Sequence, residues 1–81
     1  MALLPLTALF EGDIVELLIP VDDGATVASV GQQIAHHVVG RRVARKPAPI
    51  QLRHNGTVLD PTIAIGAAGV GPLDHVEAFY E

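Results

Sequence analysis

Only one stretch of the chain carries a helical period. Between Thr26 and Gly40, the residues Val27, Val30, Ile34 and Val38 recur at steps of three and four. At about 100° per residue they fall within a stripe about 80° wide, bordered by Gly31. Thr26 can cap the first turn, because its hydroxyl accepts an orphan backbone N–H. Gly40 is a natural stop. The pattern predicts a helix from Val27 to about Val39. One apolar stripe on one helix must be covered, and the rest of the chain has to supply the cover. The chain has 81 residues, room for a single domain over 1–81. Such a domain buries only roughly 60–65% of its unfolded surface. There is no cysteine, so disulfides, thiolate zinc and cysteine-ligated iron–sulfur clusters are excluded. Apolar packing must therefore hold the fold, and 49% of the residues are hydrophobic.

The flanking segments alternate with period two. In "LLPLTALF", residues 3–10, Leu4, Leu6, Ala8 and Phe10 share a face. After the turn "EGD", residues 14–21 form a second strand with Val15, Leu17, Ile19 and Val21 on one face. Ile14 and Leu18 then point the other way, beside Glu16, as candidates for an exposed apolar patch. Pro20 lacks an N–H, which places this strand at a sheet edge. Beyond the helix, "RRVARKPAP" is a loop. "IQLRH" is a third strand, "NG" a tight hairpin turn and "TVL" a short fourth strand. "TIAIGAAGVG" is a compact loop with room for one helical turn. Residues 74–81 are a last strand, with Val76, Ala78 and Tyr80 on one face. The order β-β-α-β-β-β predicts an α+β fold of the β-grasp, or ubiquitin-like, type. A mixed sheet of four to five strands packs on one main helix. The last strand runs parallel to the first in mid-sheet, and the far face stays open.

Composition and spacing narrow the chemistry. Net charge is −4, from five Lys+Arg against nine Asp+Glu. That argues against nucleic acid and anionic membrane as partners. The apolar start "MALLPLTALF" has no basic lead or cleavage-like site and is interrupted by Pro5 and Thr7, so it reads as a strand rather than a leader or a span. His36 and His37 are neighbours on a helix and diverge by about 100°, a poor geometry for one metal ion. His54 and His75 stand alone in strands. "GAAGVG" lacks the order of a nucleotide-binding loop, and no lysine follows it. Glu-x-x-His, the helical ligand pair of di-iron carboxylate sites, does not occur. No nucleophile, acid–base pair or metal set is found, which predicts that the chain alone is not an enzyme. Four of the five basic residues cluster after the helix: Arg41, Arg42, Arg45 and Lys46. Cations there complement the helix dipole, and they also suit docking on an acidic protein surface. With Ile14 and Leu18 they are the candidate docking residues.

The chain resembles the small gamma subunit, or B protein, of bacterial multicomponent toluene monooxygenase hydroxylases. The likeness covers nearly the full length. It rests on "ALFEGD" opening an apolar strand that ends in "VDD", on a helix closing with "AHHVVGRRVA", and on a terminal strand ending in "FYE". The resemblance implies a ubiquitin-like fold and a non-catalytic assembly role in the cytoplasm. It implies a large alpha subunit that carries the di-iron centre and a beta subunit as partners, with no cofactor in this chain. It carries over no catalytic residue and no substrate.

Two other readings compete. A stand-alone ubiquitin-like interaction module would dock through the open sheet face or an edge strand. A modifier or sulfur carrier needs a flexible Gly-Gly end, whereas this sequence closes "EAFYE".

Overall fold

The computed structural model describes residues 2–81. Strand β1 spans Leu3–Phe10, β2 Leu17–Asp22, helix α1 Val27–Val38, β3 Ile50–His54, β4 Thr57–Val58 and β5 His75–Tyr80. The strands form one sheet in the order β2-β1-β5-β3-β4. The β1–β5 pair is parallel and the other pairs are antiparallel. This is the expected β-grasp, with five strands and the last strand in the middle.

The helix covers one face of the sheet. Val27, Val30, Ile34 and Val38 are buried, and they meet Leu4, Leu6, Ala8 and Phe10 of β1 and Val76 and Ala78 of β5 in one core. Ala35 joins them. Gly31 is buried too, and a Cβ added there would lie 3.2 Å from Cγ2 of Ile50 on β3. The ring of Phe10 packs edge-on against Tyr80 with centroids 5.3 Å apart. Ile65, in a single 3-10 turn at Ile65–Ala68, plugs the end of the core near the helix start.

Local chemistry sets the element ends. The Thr26 hydroxyl accepts the backbone N–H of Ser29 at 3.1 Å and starts the helix. Val39 is its C-cap, and Gly40 turns the chain with φ +83°. Asn55 and Gly56 take φ of 51° and 78°, the two left-handed residues of a tight hairpin between β3 and β4.

The prolines of β1 and β2 face each other, Pro5 against Pro20. The Asp23 N–H donates to the Ala2 carbonyl at 3.0 Å, so alternate pairs along this ladder are the bonded ones. By that alternation Pro5 and Pro20 form a non-bonded pair, and neither missing N–H removes a rung. Pro20 turns its N outward along the free edge, and the Gln33 side chain donates to its carbonyl at 3.1 Å. The β2 edge is thereby blunted against further strand pairing.

The second strand begins later than its alternation predicts. Ile14, Val15 and Glu16 lie outside β2, and Val15 is exposed rather than core-facing. The cause is Asp13, whose carboxylate accepts the N–H groups of Ile14 at 2.8 Å and Val15 at 3.4 Å. These local bonds compete with the sheet ladder. At its other end β1 turns to β5, where the Glu11 N–H donates to the Ala78 carbonyl at 2.8 Å. Smaller differences fall at strand ends. Leu59 lies beyond β4 although its N–H still bonds Leu52, and Asp74 belongs to the turn before β5.

Candidate docking surface

The basic stretch folds back under the helix. The Val38 carbonyl receives the N–H groups of Arg41, Arg42 and Val43 at 3.0 to 3.3 Å, and the Gly40 N–H donates to the Val43 carbonyl at 2.8 Å. The last helical carbonyl is thus satisfied within the loop, and the cationic side chains project beside the negative end of the helix dipole.

The structure separates the four cations by role. Arg42 reaches Asp13, 29 residues away, and its Nε donates to both carboxylate oxygens at 2.9 and 3.0 Å. The Asp13 side chain is 1% exposed, so this pair ties the β1–β2 turn to the helix end. Arg42 holds the Asp13 carboxyl below its usual pKa, and burial opposes the shift. The Ile14 and Val15 amides add to the lowering. Arg41, Arg45 and Lys46 are exposed, and among the described residues they form no ion pair. Arg41 and Arg45 line a groove of about 420 Å³ between the second half of α1 and the ends of β3 and β5. His36 and Gln32 stand on its helical wall, with Ile50 and Tyr80 opposite.

The two apolar candidates lie apart. Ile14 is 94% exposed and adjoins the Asp13–Arg42 tie. Leu18 is exposed on the helix-free sheet face, opposite Thr7. Leu3 shares that face, and Leu73, whose N–H bonds the Pro5 carbonyl, is exposed nearby.

Three contacts escape a reading of the sequence. His54 and His75 are not alone. His54 Nε2 lies 3.1 Å from Asp74, and its side chain is largely covered. His75 Nδ1 lies 3.0 Å from the Thr7 hydroxyl and 3.3 Å from Glu16. The Arg53 guanidinium stacks 4.6 Å from the centroid of Phe79 while bonding Glu77 at 3.2 Å. Only strand pairing reveals these neighbours, since Arg53 faces Glu77 and Thr7 faces His75 in the ladders. The Asp74 carboxyl sits below its usual pKa because the Gly71 amide bonds it, with His54 contributing and burial opposing.

His36 and His37 meet edge-to-face with centroids 5.6 Å apart. Among the described residues no three His, Asp or Glu side chains gather as metal ligands. Among the described residues no helix is long and apolar enough to cross a membrane.

Comparison with known proteins adds the following. Residues 3–80 match the family described as Toluene-4-monooxygenase system protein B. A curated relative from Ectopseudomonas mendocina, the gamma subunit of the hydroxylase component of the toluene-4-monooxygenase system, is 31% identical over all of this chain and 99% of its own length. A chain in the solved complex of toluene 4-monooxygenase HD with the inhibitor 4-bromobenzoate superposes with a TM-score of 0.93 at 26% identity, covering 99% of this chain and 100% of that one. A ubiquitin of Caldiarchaeum subterraneum matches at TM-score 0.74 and 19% identity, over 99% of this chain and 95% of its own, a likeness of fold alone.

Proposed function

The chain belongs to the toluene-4-monooxygenase system protein B family, and on that footing we propose that it works as a non-catalytic gamma subunit whose task is assembly. It is an accessory component of a monooxygenase hydroxylase, and its partners are other hydroxylase subunits. In our reading the direct partner is the large alpha subunit, with a beta subunit completing the complex. The di-iron centre and the hydrocarbon site lie in the alpha subunit. The observation that carries this is the full-length agreement of sequence and fold with hydroxylase chains, at a TM-score of 0.93.

The residues of the chain suit such a task. Its polar clusters hold turns and strands together, and Asp13, Arg42, His54 and Asp74 are all engaged in this way. Its free cations and exposed aliphatic side chains lie at the surface. Arg41, Arg45 and Lys46 would meet acidic surface on the partner and set its approach. Ile14 and Leu18 would add apolar area. Arg42 contributes indirectly, by fixing the loop that carries the others.

Co-expression with the remaining hydroxylase subunits tests the reading. A tagged chain should retain a large iron-containing subunit in fixed proportion through purification. Omitting the chain should lower the yield and iron content of that subunit. A large subunit that assembles, binds iron and turns over normally without this chain would refute the proposal.

A further inference from the structure

Of the chain's five basic residues, two are used internally, Arg42 on Asp13 and Arg53 on Glu77. The other three, Arg41, Arg45 and Lys46, all stand on the shoulder that follows the helix. Two of them open onto the groove, and the other polar side chains there are Gln32, His36 and Tyr80. Among the described residues no carboxylate lines it. Glu81 is the nearest acid in sequence, and its side chain accepts from the Gln51 amide on β3. Val39 and Ile50 give the groove an apolar side.

From this we infer that the groove is a recognition site for an acidic segment of a partner protein. A Glu or Asp side chain of the partner seats between Arg41 and Arg45. A neighbouring apolar side chain lies on Val39 and Ile50. Arginine suits the role, because its planar fork binds a carboxylate through paired N–H bonds. The whole chain carries −4, so an acidic segment is repelled elsewhere and accepted here. The site therefore fixes the orientation of docking as well as adding affinity. A small free anion would use the arginines and leave the apolar side wet, which favours a peptide.

The inference rests on the proposed role as a hydroxylase subunit. Its test places a photoreactive p-benzoylphenylalanine at His36, on the groove wall, in the co-expressed complex. After irradiation, the attached partner peptide is sequenced. A hydroxylase-subunit peptide with Asp or Glu within a few residues of the attachment point is expected. The R41E/R45E double variant should bind the partner about tenfold or more weakly at low salt, and added salt should narrow that gap, whereas R42Q should keep the parent's loss of binding with salt. Its circular dichroism should be unchanged, because neither arginine makes an internal ion pair.

A complex that forms without cross-linking at position 36, or that tolerates both charge reversals, overturns the groove and leaves the subunit role intact. So does an attached peptide with no acidic residue. Saturation of the groove of the free chain by inorganic phosphate or benzoate, with no partner peptide attached there in the complex, reassigns it to a small anion. Failure of the unmodified chain to form any complex overturns both the groove and the role.

Discussion

Alanine at Gly31 and alanine at Gly66 each add one methyl group, and the structure gives them opposite signs. At Gly31 the new Cβ meets Cγ2 of Ile50 at 3.2 Å, with the Ile50 carbonyl oxygen no nearer than 3.8 Å. The close atom is the branch methyl of Ile50, a half-buried side chain at the start of β3 that can lean away although its χ1 is stiff. Moving it by a few tenths of an ångström costs about 0.5 kcal/mol. Removing glycine from a helix interior gains about 0.8–1 kcal/mol. The net is a stabilisation of about 0.5 kcal/mol, or roughly 2–4 °C in Tm for a domain of this size.

At Gly66 the Cβ meets the Asp23 carbonyl oxygen at 3.0 Å and Asp23 Cβ at 3.1 Å. That backbone is held on both sides. Its carbonyl accepts the Gly66 N–H at 2.9 Å, and its N–H donates to Ala2 at 3.0 Å. Overpacking against fixed atoms costs about 1–3 kcal/mol. That exceeds the roughly 0.4–1 kcal/mol gained by stiffening the unfolded chain. G66A should lose about 1 kcal/mol or more. Urea unfolding followed by far-ultraviolet circular dichroism resolves both, provided the m-values agree. A G31A variant destabilised by more than about 1 kcal/mol, or a G66A variant as stable as the parent, would refute the packing described for these two sites.

Acid should unfold the protein through its carboxylates. Asp13, Asp60 and Asp74 all have pKa values below the ordinary one, Asp60 through the Thr62 amide and hydroxyl. A carboxyl with a lowered folded pKa binds fewer protons than in the unfolded chain. Its contribution is present above the unfolded value near pH 4 and is lost as pH falls through the folded value. Urea midpoints should therefore be flat from pH 7 to about 5 and fall below about 4. R42Q should lower the midpoint at pH 7 and give a flatter acid limb, the two curves converging at low pH. A constant offset at every pH would deny that Asp13 is the linked group. Thr26→Ala removes the N-cap bond and should cost about 1 kcal/mol, read from the same urea curves, while Thr26→Ser should retain most of it. Leu73 is exposed with φ of 63°, a conformation costly for a bulky side chain. L73G should raise Tm by a few degrees, since about 1–2 kcal/mol of backbone cost is relieved against roughly 0.5–1 kcal/mol of chain entropy; an unchanged or lower Tm would show that Leu73 packs usefully where it stands.

What short-range chemistry controls was legible in the sequence. The 3.6 period marked Val27, Val30, Ile34 and Val38, and all four are buried. Thr26, Gly40 and Asn55-Gly56 set ends and turns because their stereochemistry acts within a few residues. Alternation in β1 and the lone long helix left few topologies besides one sheet with one covered face. Pro20 marked the edge for the same local reason, a missing donor. The soft motifs from "ALFEGD" to "FYE" carried the family, which the match over residues 3–80 bears out.

Tertiary structure decided what depends on partners far apart in the chain. β2 starts later than its alternation predicts because Asp13 supplies the competing bonds, and Arg42, 29 residues on, braces that same carboxylate. His54 gained Asp74 and His75 gained Thr7 only when β5 slotted between β1 and β3. The basic run likewise held four equal charges until the fold committed Arg42 inward and turned Arg41 and Arg45 onto the groove. Periodicity and turn residues report how a segment meets its own neighbours. Which distant side chain compensates a charge is set by strand order, and no local pattern encodes it.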